Sequence, residues 1–576
     1  MPLLKKGDQM VFYDFEVFKH DWLVVALDMD AKDEIIIHNS PDELRELYEA
    51  HKTDIWVGYN NSRYDQWIVK SILTGFDPYD ISKWIVKEKK PAYQYSRALN
   101  SIELIGFDVC MVGDGGLKSL EGFMGYDIRE TSVDFDIDRP LTDAEIQSTI
   151  KYCRHDVEQT VQVFLHRKEE FEAQIALIKA FKLPLTYLSK TKPQLTALIL
   201  GAQRTSYSDE FDISIPSTCI IERYRHVVDW YKTPDNMDYN CSLTTTVAGV
   251  DHQFGWGGLH GARDQYHGKG YFVNIDVQSY YPALMIEYDY LSRSVHDKAK
   301  YRNIRDERLK LKAEKNPMQQ PYKIVLNSTY GAMKDRYNAL CDPRQANNVV
   351  VAGQLLLLDL IEKLEPFCEI IQSNTDGVLV KMPATREPEP WFNLLDDVCW
   401  EWEQRTHMKL EFDEYTEVYQ KDVNNYIIVS ADGSYKSKGA YVKKLSDLSY
   451  DLAIVNKAVV DYLVHKIPVE QTIGQCQSLR DFQKICHISY LYDHAIYDGK
   501  PTKDKTMRVF ASTNLSHGGV FKVKTPHGKP EKFANTPEHC FVENGDIRGK
   551  SVPALLDKQW YITLAKSRLR DFGVII

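Results

Sequence analysis

Two groups of acidic side chains in this sequence are spaced for chemistry on phosphate esters. The first lies in the N-terminal third, where Asp14 and Glu16 close the apolar stretch Met10-Val11-Phe12-Tyr13. Residues i and i+2 of a strand share a face, so both acids point the same way. Asp65 comes after the apolar stretch Trp56-Val57 and a polar turn that includes Asn61 and Tyr64, and opens a helical run through Trp67, Ile68 and Ile72. Tyr152 and Asp156 stand at i and i+4 of a second helical run that continues to Phe164. Singly, these read as a strand end with exposed acids, a helix N-terminus and a surface Tyr–Asp pair. Together, four carboxylates and a tyrosine suit two divalent cations about 4 Å apart, which activate a water and stabilise a leaving alkoxide. That is the chemistry of a metal-dependent nuclease.

The second group lies in the middle of the chain. Gly270-Tyr271-Phe272-Val273-Asn274-Ile275-Asp276 predicts a strand that delivers Asp276 to its end, followed by the turn Val277-Gln278-Ser279-Tyr280-Tyr281-Pro282. Glu369–Val380 predicts a hairpin with Asp376 at its tip and Gly377 easing the turn. A lone Asp-Gly turn is usually no more than a hairpin, but two adjacent strands could bring Asp276 and Asp376 side by side. Between them, Lys323, Asn327 and Tyr330 fall on one helical stripe, with Gly331 after them. A Lys and a Tyr so placed suit a triphosphate, the ammonium meeting phosphate and the ring packing beneath base or sugar. Arg305, Arg308 and Lys312 lie on a helical stretch just upstream and could face the same phosphates. A solvated basic helix explains their charge, though not the Lys-Asn-Tyr-Gly order.

The elements that carry these residues need more than one core, because 576 residues exceed what a single core supports. The composition is that of a globular protein, 43% apolar and 27% charged. A net charge of −11 does not exclude a nucleic-acid partner, since carboxylate-lined metal sites contribute to it and cations concentrate in 298–336 and 421–444. The ten cysteines are scattered without metal-ligand spacing, which predicts a reducing cytoplasm. No apolar run approaches the roughly 18 to 20 residues of a membrane span, so no membrane partner is expected.

The order of the first group resembles the DEDD exonucleases, in the tyrosine-bearing subclass that proofreads for polymerases. The resemblance implies metal ligation by Asp14, Glu16, Asp65 and Asp156, with Tyr152 orienting the attacking water and Asn61 and Tyr64 gripping the single-stranded 3′ end. Asp276-x-x-Ser279-x-Tyr281-Pro282, Lys323-x-x-x-Asn327-Ser328-x-Tyr330-Gly331 and Thr375-Asp376 resemble motifs A, B and C of B-family DNA polymerases. That resemblance implies two Mg²⁺ ions per active site, with Mn²⁺ as a substitute, on Asp276, Asp376 and the Val277 carbonyl. It implies triphosphate contacts from Lys323, Arg308 and Lys312, supported by Ser279, Asn327 and Tyr330, and a Tyr281 that excludes a 2′-hydroxyl. Motif C departs from the family's Asp-Thr-Asp, since Asn374 replaces the first Asp. Gly257 and Gly258 resemble the family's aromatic-Gly-Gly loop beside the template. Lys421, Tyr426 and Lys438 resemble its primer-contacting Lys-x-Tyr motif and lysine hairpin.

The expected fold is multidomain, mixing α/β and α+β: an RNase H-like exonuclease domain followed by a right-hand polymerase of palm, fingers and thumb. The expected boundaries are exonuclease 1–175, a connecting region 176–250, palm 251–294 and 336–445, fingers 295–335, and thumb with C-terminal region 446–576. The implied function is phage-type or mobile-element DNA replication in a host-cell cytoplasm, on primer-template DNA and dNTPs. The short intervals between the three motifs imply a nucleic-acid primer and accessory partners: a helicase or primase, a single-strand binding protein, or a processivity factor. Two other readings stand beside it: an exonuclease with a degenerate polymerase body, and a non-catalytic DNA-binding replisome component.

Overall fold

A computed structural model describes residues 9–29, 33–383, 389–489, 491–526 and 528–576, with backbone alone for 389–392. The chain is a mixed α/β protein of two compact units. One comprises residues up to Lys190 together with Leu445–Ile454 and Cys476–Tyr561; the other comprises Thr191–Lys444, Val455–Gln475 and Ile562–Ile576. The C-terminal stretch expected as one piece, 446–576, is thus divided between them. Among the described residues no helix is long and apolar enough to cross a membrane.

The first unit is built around the strand Met10–Val17. It pairs antiparallel with Trp22–Asp28 and parallel with Ile55–Gly58; Asp33–His38 and Gly106–Asp108 complete a five-stranded sheet. A central strand covered on both faces explains the near-continuous apolar run. Val11, Tyr13 and Phe15 pack with Trp56, Ile68 and Ile72 on one side. Phe12 faces the helix Asp143–His166, its ring 5.3 Å from Phe164. That helix starts at a capping box, Glu145 N donating to Thr142 Oγ1 at 3.4 Å and Thr142 N to Glu145 Oε2 at 2.9 Å. Such a start fixes the register of the helix, and with it which of its residues face the sheet. Residues 476–561 add a three-stranded sheet (Lys484–His487, Thr506–Ala511, Cys540–Val542) and a four-stranded one (His494–Tyr497, Lys500–Thr502, Val520–Val523, Glu531–Lys532).

The second unit holds a nine-stranded antiparallel sheet. Its long strand Tyr266–Val277 lies between Leu410–Asp422 and Gly377–Lys381. The helix Pro343–Leu364 is buried along nearly its whole length, with apolar runs at Val349–Ala352 and Leu355–Leu358. The basic helix Lys298–Ala313 packs against Gln319–Lys334, which carries the Lys-Asn-Tyr stripe.

Candidate functional site

In the first unit the alternation of Met10–Val17 turns Asp14 and Glu16 toward the helix Asp143–His166. Cys153 Sγ of that helix lies 3.2 Å from the Asp14 carbonyl oxygen, and ligand atoms of Asp14, Glu16 and Cys153 fall within 4.8 Å of one another. Asp65, only 3% exposed, opens the helix Asp65–Leu73 and accepts the Phe15 amide at 3.2 Å. Asp156 and Tyr152 arrive one helical turn apart. Burial, followed by mutual repulsion with Asp65, Glu16 and Asp156, holds Asp14 well above the usual carboxylate range; burial and repulsion by Asp156 and Asp65 do the same to Glu16. Burial likewise pushes Asp65 up to about 7 and Asp156 up to about 6. Tyr152 is raised too, by burial and then by Asp156, so its hydroxyl stays a donor.

Crowded hard-oxygen donors that cling to their protons suit divalent cations, which would relieve the repulsion. The structure therefore brings together all five residues of the first expected set. Tyr64 lines a cavity of about 330 Å³ beside Glu16 with Phe15, Tyr79, Lys83 and Phe135, its hydroxyl 2.8 Å from Ser82 Oγ. Asn61 is instead 3% exposed and spends its amide on the Phe107 carbonyl at 3.2 Å, pinning two strands. Sequence patterns pass over Lys118, whose ammonium bonds Asp156 Oδ1 and lies 4.6 Å over the Tyr152 ring. A Lys and a Glu three apart on Leu117–Met124 were the available signal, and that pairing is common on any helix surface.

In the second unit Gly377 pairs directly with Asp276, and Val277 N donates to the Asp376 carbonyl at 2.8 Å. The hairpin tip therefore sits against the end of Tyr266–Val277. A Cβ on Gly377 would stand 2.0 Å from Asp276 Oδ1 and 2.8 Å from the Ile275 carbonyl oxygen, so the close approach requires glycine. Burial and then repulsion by Asp376 push Asp276 up to about 6, while Asn274 donates to its Oδ2 at 2.6 Å. The two acids share a cavity of about 720 Å³ with Tyr426, Lys438, Asn374 and Lys436. Asn374 Oδ1 is buried there without a hydrogen-bond partner among the described residues. Lys436 bonds Asp413 at 2.8 Å; the signals in the sequence are that Lys436 shares a strand face with Lys438 and Asn274 with Asp276.

The turn after Asp276 is strained. Ser279 sits at φ 52°, in the left-handed region that non-glycine residues seldom adopt, and such strain persists where surroundings over-determine it. Its Oγ accepts from Arg308 Nη1 at 2.7 Å, reached from the basic helix. Lys312 lies 3.3 Å from Glu411, which also accepts from Gln278 at 2.7 Å. Tyr281 packs edge-on against Tyr330, ring centroids 4.6 Å apart, and burial followed by Asp376 pushes its hydroxyl up to about 12. Lys323 and Asn327 lie on the same helix as Tyr330, Asn327 exposed. A Cβ on Gly258 would stand 2.7 Å from Thr375 Oγ1, whereas Gly257 faces open space. Lys421 does not line the acidic cavity; it pairs with Asp422 at 2.8 Å and lies over the Tyr441 ring.

Comparison with known proteins gives short or distant likenesses. No family model matches the chain. A DNA polymerase of Acidianus bottle-shaped virus (isolate Italy/Pozzuoli) is 36% identical over 89 residues, which is 15% of this chain and 13% of that protein's length. The structure of the family B DNA polymerase from the hyperthermophilic archaeon Pyrobaculum calidifontis aligns with a TM-score of 0.43 at 13% identity, covering 99% of this chain and 78% of that one.

Proposed function

We propose that this chain is a template-directed DNA polymerase of the B-family type that carries its own 3′→5′ proofreading exonuclease. The observation that carries the reading is the hairpin setting Asp376 beside Asp276, backed by the strained Ser279, Arg308 and the Tyr281–Tyr330 pair. The four-carboxylate cluster of the other unit supports the nuclease half. Asp276, Asp376 and the Val277 carbonyl would hold one pair of Mg²⁺ ions, and Asp14, Glu16, Asp65 and Asp156 a second, in either case replaceable by Mn²⁺. Bound there, such ions make an attacking oxygen more nucleophilic and offset charge on the leaving one.

In the polymerising half, the primer 3′-oxygen attacks the α-phosphorus of a dNTP, one phosphodiester bond forms, and pyrophosphate leaves. Arg308, Lys312 and Lys323 grip the triphosphate, while Tyr281, backed by Tyr330, packs under the sugar and leaves no room for a 2′-hydroxyl. Catalysis by these residues is positioning and electrostatics. Lys438 and Tyr426 reach the primer terminus. In the nuclease half, water attacks the terminal phosphodiester and a deoxynucleoside monophosphate leaves. Protonated Tyr152 orients that water, and the cavity lined by Tyr64 takes the frayed base. The exonuclease occupies the N-terminal unit, the nine-stranded sheet acts as palm, and the paired helices Lys298–Ala313 and Gln319–Lys334 act as fingers.

One observation favours a second reading, a nuclease with a degenerate polymerase body. Asn374 stands where the family has an acid, and its buried Oδ1 has no hydrogen-bond partner among the described residues. Primer extension with Mg²⁺, with and without dNTPs, on matched and mismatched ends separates the two. Extension that Asp376→Ala abolishes, with degradation that Asp14→Ala abolishes, is the expected result. Degradation with no extension by the unaltered protein would establish the second reading.

A further inference from the structure

On the nuclease reading, the carboxylate cluster needs a group that holds its members in place. Lys118 touches two of the five residues assigned there: its ammonium bonds Asp156 Oδ1 and lies over the Tyr152 ring, and it also bonds Glu121 Oε1 at 3.0 Å. The helix that carries it, Leu117–Met124, is only eight residues long and begins at Gly116 without a side-chain cap. A helix so short has little stability of its own.

What secures its other end is the segment 476–561. Arg480 donates to the Phe123 carbonyl from Nε at 3.0 Å and from Nη2 at 2.8 Å, and Gln483 Nε2 donates to the same oxygen at 3.0 Å. Arg508, 0% exposed, donates through Nη2 to the carbonyls of Gly122 at 3.2 Å and Tyr126 at 2.6 Å. Its Nη1 is fixed in turn by the carbonyls of Glu543 at 3.2 Å and Gly545 at 2.6 Å. Two backbone bonds complete the join, Ile128 N to Asn544 O at 2.8 Å and Ile547 N to Gly125 O at 3.0 Å. Ile485 packs where a Cβ on Gly122 would lie 2.9 Å from its Cδ1. The last carbonyls of a helix lack partners within it, and cations there suit the helix dipole.

We propose that residues 476–561 are the brace of the nuclease site, in which Arg508 and Arg480 grip the C-terminal end of Leu117–Met124 and thereby set Lys118 against Asp156 and Tyr152. Arg508 touches none of the five residues and acts through the helix, so it is a positioning residue. Lys118 fixes the Asp156 carboxylate and the plane of the Tyr152 ring, which aims the hydroxyl. Without it, both side chains gain rotational freedom at the point where water must be aligned.

The test uses the whole 576-residue chain degrading single-stranded DNA with Mg²⁺. Lys118→Met and Arg508→Met are each expected to lower kcat by roughly 10- to 100-fold, with KM held within about twofold. The double variant should degrade no more slowly than Lys118→Met, because both changes remove one linkage. Hydrogen exchange gives a second readout: the amides of 117–128 should exchange faster in Arg508→Met and remain protected in Lys118→Met. Primer extension monitors folding of the rest. If Arg508→Met does not fold, Arg480→Met takes its place in the same cycle. Wild-type degradation by Lys118→Met, losses that multiply in the double variant, or unchanged exchange at 117–128 would each overturn the brace. Undiminished degradation by Asp14→Ala would instead sink the nuclease reading beneath it.

Discussion

Raising the pH of the metal-free protein should destabilise its N-terminal unit, and the structure sets both sign and size. Asp65 is fully buried and held at about 7, against an ordinary 3.8. Asp156 is held at about 6. A carboxyl raised on folding binds its proton more tightly in the folded state, so its stabilising contribution is complete below about pH 4 and is lost as pH rises through the folded value. Between pH 5 and pH 8 Asp65 loses its share over two pH units and Asp156 over one. At about 1.4 kcal/mol per pH unit, together they cost roughly 4 kcal/mol. For a unit of this size that lowers the melting temperature by about 10 °C. Mg²⁺ should restore stability at pH 8 and do far less at pH 5, where protons compete for the same oxygens. Asp65→Asn isolates the effect, because an amide oxygen still accepts the Phe15 amide while the charge is gone. That variant should melt higher than the unaltered protein at pH 8 without metal, match it more closely at pH 5, and gain less from Mg²⁺. Scanning calorimetry at the two pH values, with EDTA or Mg²⁺, measures all three differences. If the metal-free protein is as stable at pH 8 as at pH 5, or Asp65→Asn gains nothing at pH 8, the acids are not crowded as described and the reasoning fails.

Two further substitutions probe the proposed polymerising half. Gly377→Ala must displace the Asp276 carboxylate or the hairpin by about an ångström, so extension should fall by about 100-fold while degradation of single-stranded DNA is unchanged; near-normal extension in a steady-state assay would count against the Asp276–Asp376 pairing. Tyr281→Ala removes the ring that packs on Tyr330 and should raise rNTP incorporation relative to dNTP by about tenfold or more, read from competing single-nucleotide additions; an unchanged ratio would take Tyr281 out of sugar selection.

The acids were legible in the sequence because their placement is local. A strand period of two puts Asp14 with Glu16, a helical turn puts Tyr152 under Asp156, and a hairpin tip presents Asp376; each follows from neighbours in the chain. The groups that answer those charges are not local. Lys118 meets Asp156 across 38 residues, and nothing in Leu117–Met124 distinguishes it from other amphipathic helices. Lys436 reaches the Asp276 cavity, with Asp413 as its partner, on strands whose register depends on pairings far along the chain. Asn61 shows the converse: the resemblance casts it as a grip on DNA, while its amide is committed to a strand carbonyl 46 residues away.

The division of the C-terminal stretch has the same origin. Residues 476–561 form mostly short strands between turns, and a sequence pattern of that kind does not say which face will cover them. The decision falls to buried polar groups that must find partners. Arg508 is 0% exposed, so its terminal nitrogens need acceptors within the protein, and one of them meets the Gly122 carbonyl 386 residues earlier in the chain. A helix end whose carbonyls can take a further donor and a buried arginine with donors to place each stabilise the other's burial, and neither is identifiable from its own sequence window. The clustered carboxylates can therefore be read from the chain one segment at a time, whereas the cations that hold them in place emerge only when distant segments close on one another.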